Sequence, residues 1–415
     1  MRYSQEFFEY ASGLKLIFVK SPDFYTAKLK IMFTVGAEDE ELPRGIAHLL
    51  EHSIFKGTTK YSQEEISEAF NNMSADVDAS TSSETTCYMA TFPKERLADV
   101  SKLYSHILTE SVFNEVEIEK EKNVIIEEIL MHEDMPDQAC FDQLVRIMFG
   151  DTGIGNDIAG KIELLKDIKS SDLKSFHSKY YHNKNMIVEV VGDYSIDEVK
   201  KCVEQFFVKP FIRGNNELIK FKNWSLCSTI KPKSELLIKD TKQANVMMGY
   251  RCPSYTNFER FDFGLIGFIL GGSMNSRLFK KIRNELALCY MISSFEIAYK
   301  NNGFMTINFS TTTKNTKKCI EAVNEVVEDL LRCGVSDSEF ETAKKLNMDR
   351  YLMSLDVPKG NLKYLAYTGE ILDPEKITLY LKNCTKEKSM EVFKKYVTAK
   401  DVFISVVSSD KKCLK

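Results

Sequence analysis

The sequence predicts an α+β fold built from two homologous domains, each with a mixed or antiparallel sheet packed against helices. Three observations favour this fold class. At 415 residues the chain has the length of two ordinary domains. Strand-like and helical stretches follow one another without the regular alternation of a βαβ protein. Matching landmarks recur roughly 215 to 219 positions apart, far beyond the period of a solenoid repeat, which indicates a duplicated domain.

Both halves of the chain open with an apolar strand pattern followed by a helix. In the first half "KLKIMFTVG" (28–36) predicts the strand, and "GIAHLLEH" (45–52) lies in the predicted helix. In the second half "QANVMMGYR" (243–251) precedes the helical run "FGLIGFILGG" (263–272). The same order of elements in both places supports the duplication.

The later elements repeat as well. Each half continues with strand-like segments that lead into a long amphipathic helix, "KERLADVSKLYSHIL" (94–108) and "TKKCIEAVNEVVEDLLRC" (316–333). Each half ends on an apolar strand, "NMIVEVVGDYS" (185–195) and "DVFISVVSSD" (401–410). The Asn-Asn-Gly sequence at 301–303 has the chemistry of a hairpin turn.

The join between the halves is predicted in "VKPFIRGNNELIKFKN" (208–223). Proline, glycine and asparagine interrupt the periodicity there. We therefore predict an N-terminal domain at 1–210, a linker at 211–225 and a homologous C-terminal domain at 226–415.

Composition excludes several classes of protein. Hydrophobic residues make up 43% of the chain, enough for ample cores, and the net charge of −4 gives no reason to expect nucleic acid or an anionic membrane as a partner. No apolar run approaches the roughly 20 residues that span a bilayer, and the N-terminus lacks the apolar region of a signal peptide. The ten cysteines are scattered without a CxxC pair. We therefore expect a cytoplasmic protein with free thiols.

The segment "GIAHLLEH" places three titratable side chains in an otherwise apolar helix. His48 and His52 are four residues apart and therefore neighbours on one helix face, with Glu51 between them. All six histidines lie before residue 183, and alignment of the halves on Gly45 and Gly264 sets His48 and His52 opposite glycines. Because the duplicated helix is built without these polar groups, the fold does not require them, and they indicate a function.

Two imidazoles at this spacing can converge on one zinc ion. Glu51 is rotated off the line of the two histidines, so it can reach a water beside the metal instead of the metal itself. Metal-assisted hydrolysis needs this arrangement, since the metal lowers the pKa of water to about 7 and a carboxylate takes the proton. H-x-x-E-H is also a known metallopeptidase signature.

A catalytic zinc site needs a third protein ligand. The best candidates lie in the acidic run "EKEKNVIIEE" (119–128). Glu121 and Glu128 are seven apart and fall near one stripe of a helix, whereas Glu127, the adjacent alternative, points about a quarter-turn away. The remaining histidines have no histidine partner four residues away, and we expect ordinary surface or core roles for His106, His132, His177 and His182.

These residues together resemble the pitrilysin/insulinase metallopeptidases, specifically the shorter branch similar to mitochondrial processing peptidase. The resemblance rests on "HLLEHSIFKGT" and on the glutamate that ends "EKNVIIEE". It implies that His48, His52 and Glu128 bind one Zn²⁺ per chain. It also implies that Glu51 is the general base and that Glu121 orients a ligand without touching the metal.

A second part of the resemblance lies in the C-terminal half. "GGSMNSRLFKKIRNELALCY" is similar to the family segment whose arginine and tyrosine meet the substrate, here Arg283 and Tyr290. An arginine and a phenol can hold a peptide carbonyl and stabilise the oxyanion that forms when water attacks it. Ala287 replaces the family's usual glycine before this tyrosine, a departure that concerns the turn. The glycines of this segment lack the GK[ST] ending of a phosphate loop, so nucleotide binding is rejected.

A third stretch, "ADVDASTSSETTCYMATF" (75–92), resembles the strand that pairs with an extended substrate. Such pairing uses backbone hydrogen bonds and therefore tolerates many sequences. Asp78 and Ala79 stand where the family commonly has Asn-Ala. The carboxylate of Asp78 removes a donor and adds a charge, which favours basic peptides.

The sequence therefore predicts a zinc-dependent endopeptidase that acts on extended peptides or unfolded protein segments. Family members enclose substrate in a chamber of four such domains, so the resemblance implies a homodimer or a heterodimer with a related chain. Two alternatives stay open. One is a non-catalytic scaffold or partner subunit of a heterodimeric peptidase-like complex, and the other is a zinc hydrolase that acts on a non-peptide amide.

Overall fold

The structure is a computed structural model that describes residues 4–22, 24–41, 44–150, 153–211 and 230–414. The chain forms two compact units, each made of three segments. The first comprises Met1–Ile129, Asn156–Lys222 and Leu355–Ile371, and the second comprises Leu130–Gly155, Asn223–Ser354 and Leu372–Lys415. The predicted linker at 211–225 lies outside the described residues apart from Phe211.

Eleven strands of the described chain form one sheet in each unit. The first sheet contains β1 (Ser4–Glu9), β2 (Lys15–Lys20), β3 (Thr26–Phe33), β4 (Asp76–Thr81), β5 (Thr86–Pro93) and β6 (Met186–Gly192). The second sheet contains β7 (Ser234–Ile238), β8 (Ala244–Arg251), β9 (Ile292–Ala298), β10 (Gly303–Thr311) and β11 (Phe403–Ser408).

The two sheets have the same topology. Their orders are β1-β2-β6-β3-β5-β4 and β7-β11-β8-β10-β9, so after β1 they match strand for strand. In both sheets the first matching pair, β2 with β6 and β7 with β11, is parallel, and the other described pairs are antiparallel. The predicted α+β class with a duplicated domain is confirmed. The predicted hairpin turn at 301–303 is confirmed as well, because it joins β9 to β10.

Fourteen α-helices accompany the strands in the described ranges. They are α1 (Ile46–Ser53), α2 (Gln63–Asn72), α3 (Leu97–Thr109), α4 (Glu115–Asp134), α5 (Pro136–Phe149), α6 (Ile162–Leu165), α7 (Ser170–Tyr180), α8 (Ile196–Val203), α9 (Glu259–Gly271), α10 (Thr316–Cys333), α11 (Asp337–Ser354), α12 (Leu362–Thr368), α13 (Pro374–Asn383) and α14 (Lys386–Tyr396). Among the residues described, no helix combines the length and the apolar character needed to cross a membrane.

The main core of the first unit lies between its sheet and helices that include α1 and α3. Helix α3 packs on the sheet because its buried side chains recur at the three- and four-residue spacing of one helix face. These are Val100, Leu103, Tyr104 and Ile107. Burial of such a side chain contributes about 1.5–3 kcal/mol. Helix α1 is held in the same core by Ile46, Leu49 and Leu50, which leaves its polar side chains on the other face.

The opposite face of each sheet is covered by a helix from the other half of the sequence. In the first unit Leu362 and Leu365 of α12 cluster with apolar side chains of β2, β3 and β6. In the second unit Leu144 and Met148 of α5 cluster with Met247 and other residues of that sheet. The domains predicted at 1–210 and 226–415 are contiguous, so neither includes the helix that its sheet takes from the other half of the sequence. Periodicity shows that a helix has an apolar face, but it does not show which sheet that face covers.

Candidate metal centre

Helix α1 brings two histidines together on its polar face. His48 and His52 lie one turn apart, and their ring centroids are 4.6 Å apart with an interplanar angle of 73°. Because Leu49 and Leu50 are buried in the core, the helix cannot rotate to move either imidazole away. The two imidazoles therefore lie side by side on this face of α1.

Glu128 of α4 completes a group of three potential metal ligands. Its Oε2 lies 3.8 Å from Nε2 of His48 and 3.7 Å from Nε2 of His52. Ligand atoms at 2.0–2.2 Å from a tetrahedral zinc ion lie roughly 3.3–3.6 Å from one another, so the two distances from Glu128 to the histidines need only a small contraction. Within the described ranges this is the only group of three His, Cys, Asp or Glu residues whose ligand atoms all lie within 4.8 Å of one another. Its two nitrogens and one carboxylate oxygen are a donor set that fits zinc.

Glu121 lies two helical turns before Glu128 on α4. It contacts His52 and not the centre of the group. Its Oε2 lies 3.3 Å from Nδ1 of His52, and its Oε1 lies 2.8 Å from Nζ of Lys56. Burial acts to raise the pKa of Glu121, but the hydrogen bonds from His52 and Lys56 outweigh it and lower the pKa. When Nδ1 of the neutral His52 ring donates to Glu121, Nε2 carries the lone pair and is the atom available to a metal.

Glu51 faces the same region without joining the group. Its side chain is buried, and its Oε2 accepts a hydrogen bond of 2.7 Å from the hydroxyl of Thr81 on β4. Burial raises the pKa of Glu51, while the hydrogen bond from Thr81 and the charge of His52 act in the opposite direction. A carboxylate whose pKa lies above its ordinary value is a stronger base, which suits it to accept a proton.

The alternative third ligand lies elsewhere on α4. Glu127 is exposed and does not belong to the group formed by His48, His52 and Glu128. The four other histidines also lie outside this group. His177, for example, has its Nε2 2.7 Å from the carbonyl oxygen of Leu108.

The strand β4, predicted to pair with substrate, is the last strand in the order of the first sheet. Asp78 and Ala79 lie in its middle. Oδ1 of Asp78 accepts a hydrogen bond of 2.9 Å from the backbone N–H of Ala79. A side chain of the strand itself therefore holds one of the donors that an added strand would use.

Arg283 and Tyr290 lie in the second unit and contact each other. Arg283 belongs to a π-helical turn, Phe279–Glu285, and its Nε donates to the carbonyl oxygen of Tyr290 at 3.1 Å. The Tyr290 side chain is 81% exposed. Between them Ala287 has φ of 51°, in the left-handed region that glycine adopts more readily. The turn thus keeps a backbone shape suited to the glycine that the resemblance leads one to expect.

The second unit has the matching helix without the matching ligands. Helix α9 carries Gly267 and Gly271 at the positions that align with His48 and His52. A Cβ atom at Gly267 would lie 2.7 Å from Oε1 of Glu296. A side chain at Gly267 would have to displace the Glu296 carboxylate, and glycines offer no ligand atom, so among the described residues the ligand group lies in the first unit.

Two residues at this centre were not identified from the sequence. Thr81 follows Ala79 by two residues on β4 and shares its face, so strand alternation could have identified it. Lys56 lies beyond the end of α1, where helical spacing gives no information about contacts. Only the folded chain brings its ammonium group to Glu121.

Comparison with known proteins matches nearly the whole chain. Residues 16–161 match the family model described as Insulinase (Peptidase family M16), and residues 167–347 match the model described as Peptidase M16 inactive domain. An uncharacterized zinc protease of Bacillus subtilis is 29% identical over 346 residues, which is 83% of each chain. An uncharacterized zinc protease of Rickettsia felis is 27% identical over 411 residues, which is 96% of this chain and 95% of its own.

Solved structures share the fold at lower identity. A peptidase M16 inactive domain from Pseudomonas fluorescens has a TM-score of 0.87 at 17% identity and covers 98% of both chains. A protease from Helicobacter pylori has a TM-score of 0.86 at 18% identity and covers 98% of this chain and 99% of its own. The closer similarity to mitochondrial processing peptidase stays a prediction. With both halves matched in order and the fold shared along the chain, the protein belongs to the pitrilysin/insulinase family, peptidase family M16.

Proposed function

We propose that this chain is a zinc-dependent endopeptidase that cleaves extended peptides or unfolded protein segments, and that His48, His52 and Glu128 bind one zinc ion. The observation that carries the proposal is the group itself, whose three ligand atoms lie within 4.8 Å of one another. The relatives from Bacillus subtilis and Rickettsia felis are both called zinc proteases, which supports the choice of metal.

Glu51 is the general base in this proposal. When bound, zinc lowers the pKa of water and polarises a carbonyl oxygen. Glu51 lies on the same helix as the two histidines, and the Thr81 hydroxyl already donates to its Oε2. Its Oε1 is therefore the atom that accepts the proton of the attacking water and later delivers it to the leaving amine.

The substrate binds along β4 as an additional strand. Backbone hydrogen bonds to the edge of a sheet select an extended peptide and exclude folded segments, whose backbone groups are already paired. At Ala79 a substrate carbonyl competes with the carboxylate of Asp78 for the same N–H. A basic substrate side chain near Asp78 draws that carboxylate away, so we propose a preference for basic peptides.

Arg283 and Tyr290 bind and polarise the substrate carbonyl in this proposal. The family resemblance supports these roles, and the exposure of the Tyr290 phenol leaves its hydroxyl accessible. The carbonyl oxygen of Tyr290 positions the Arg283 side chain. Guanidinium and phenol groups then act as donors to the oxygen that becomes negatively charged.

The working form is proposed to be a dimer, with either a second copy or a related chain, and to reside in the cytoplasm. The family resemblance supports the dimer, and the nine cysteines of the described residues are all free, as a reducing compartment would leave them. Light scattering of the purified protein tests the assembly. A monomer that is fully active would contradict it.

The test of the function combines metal analysis with cleavage of one protein in two states. Purified chain is stripped with a chelator, reloaded with zinc, and incubated with a reduced, alkylated protein and with the same protein in its native fold. We expect cleavage of the unfolded form only, loss of activity on stripping and recovery with zinc. A folded, zinc-loaded dimer that cleaves no unfolded protein would instead indicate the scaffold function.

A further inference from the structure

Helix α1 begins without a cap of its own. Its N-cap residue is Gly45, which has φ of 95° and offers no side chain to the free N–H groups of the first turn. A Cβ atom at Gly45 would lie 2.7 Å from the carbonyl oxygen of Ala159. The serine, threonine or aspartate that usually caps a helix therefore does not fit at this position.

Glu40 supplies the missing cap from five residues earlier in the chain. Its Oε2 accepts from the N–H of Gly45 at 2.8 Å, and its Oε1 accepts from the N–H of Ala47 at 2.9 Å. The Glu40 side chain is buried, with 8% exposure. Burial raises the pKa of Glu40 to about 8, and the two hydrogen bonds from Gly45 and Ala47 act in the opposite direction. In either charge state the carboxyl oxygens accept from the N–H groups of the first turn in a water-poor environment and fix its position.

The segment that carries Glu40 is itself anchored. Residues Ala37–Asp39 form a short 3₁₀ turn in which Oδ2 of Asp39 accepts from the N–H of Gly36 at 3.1 Å. The hydroxyl of Tyr180 donates to the carbonyl oxygen of Asp39 at 3.2 Å. The backbone just before Glu40 is therefore held in place, and the Glu40 side chain in turn holds the start of α1.

The histidines depend on this first turn. Helix α1 has only eight residues, and a helix that short is marginal unless its ends and its buried face are held. His48 lies in the first turn and His52 one turn later, so a shift of the helix start displaces both imidazoles relative to Glu128 on a different helix. The buried face is held by the core, and the free end is held by Glu40.

We propose that Glu40 is a positioning residue for metal binding, whose two hydrogen bonds to α1 preorganise His48 and His52 for zinc. This inference rests on the proposed zinc site. It differs from a purely structural role, in which Glu40 would stabilise the fold while leaving the zinc affinity of the folded protein unchanged.

The test compares Glu40→Gln with Glu41→Gln, which makes the same substitution at the next residue, where the side chain is 82% exposed. Glutamine at 40 keeps one acceptor and turns an NH₂ group toward the other amide. We expect Glu40→Gln to weaken zinc binding by about 10-fold or more in a chelator competition, as losses of supporting interactions around a metal site commonly do. We also expect faster hydrogen exchange in α1 of the zinc-free protein, with β3 and β6 unchanged. Glu41→Gln should match wild type in both.

Unchanged zinc affinity of folded Glu40→Gln would overturn the inference, even if exchange in α1 is faster or the protein melts earlier. If that variant does not fold, the zinc affinity of Glu40→Asp is compared with that of Glu41→Asp instead. We expect weaker binding by Glu40→Asp, because the shorter side chain cannot reach both amides. Equal zinc affinity for those two would overturn the inference as well. If the His52→Ala variant, with Glu40 intact, retains full zinc affinity, the proposed site itself is refuted, so the two failures are distinguishable.

Discussion

The contact between His52 and Glu121 allows a quantitative prediction for Glu121→Gln. Both groups that face Glu121 are donors, Nδ1–H of His52 at 3.3 Å and Nζ of Lys56 at 2.8 Å. Glutamine has one acceptor oxygen, so one of the two donors loses its partner. If His52 loses it, the ring proton is no longer held on Nδ1 and can move to Nε2, the atom that faces Glu128. If Lys56 loses it, an uncompensated positive charge remains beside a cation site. Both outcomes weaken zinc binding.

We expect Glu121→Gln to lower zinc affinity by about 10- to 100-fold. That factor corresponds to about 1.4–2.8 kcal/mol. The measurement is a titration of zinc-free protein against a chromophoric chelator, after circular dichroism has shown that the variant is folded. Glu127→Gln is the matched control, since it makes the same change on an exposed position of the same helix. Equal zinc affinity in the two variants would refute the argument that Glu121 supports His52.

Three further predictions concern the substrate strand, the turn before Tyr290 and acid stability. Asp78→Asn should reduce the preference for basic over neutral peptides by up to about 5-fold, since an exposed ion pair contributes up to about 1 kcal/mol; an unchanged ratio of kcat/KM values would contradict the role of Asp78. Ala287→Gly should raise the midpoint of thermal unfolding by about 1–4 °C. The free energy gained when the left-handed backbone no longer carries a Cβ atom exceeds the free energy lost because glycine raises the entropy of the unfolded chain. A lower midpoint would count against strain at this turn. Hydrogen bonds from Arg277 lower the pKa of Glu339 to about 2, below its ordinary 4.5. The stability that this pair contributes is therefore present above pH 4.5 and lost as the pH falls toward 2. The difference in unfolding free energy between wild type and Arg277→Met should shrink over that range in denaturant titrations, and a constant difference would show that the pair does not titrate as described.

The fold class was predictable because duplication leaves a record in the order of the elements. Strands β3 and β8 and the helices that follow them carry matching patterns, and the two sheets have matching orders. The placement of α12 in the first unit and of α5 in the second was not predictable. Both helices have an apolar face, and in each case the partner sheet lies in the distant half of the sequence. Local periodicity carries no information about that choice.

The metal group was accessible from the sequence to the extent that it obeys helical spacing. His48 and His52 share a face of α1, and Glu128 shares a stripe of α4 with Glu121, so each pair could be inferred separately. The sequence alone does not place α1 beside α4, and that contact was inferred from the family resemblance. In the structure it is seen in the distances from Glu128 to the two histidines. Glu40 was missed because its contacts are with backbone N–H groups, and a remote cap leaves no mark in the periodicity.

The most direct test of the central claim is a paired measurement on Glu51→Gln. Zinc content is measured by elemental analysis, and cleavage of an unfolded protein is measured on the same sample. If Glu51 is a base and not a ligand, the variant should keep zinc near the wild-type stoichiometry and lose at least about 10²-fold in rate, the lower bound for removal of a general base. A folded variant that has lost its zinc, or one that keeps its zinc and cleaves at the wild-type rate, would contradict the claim.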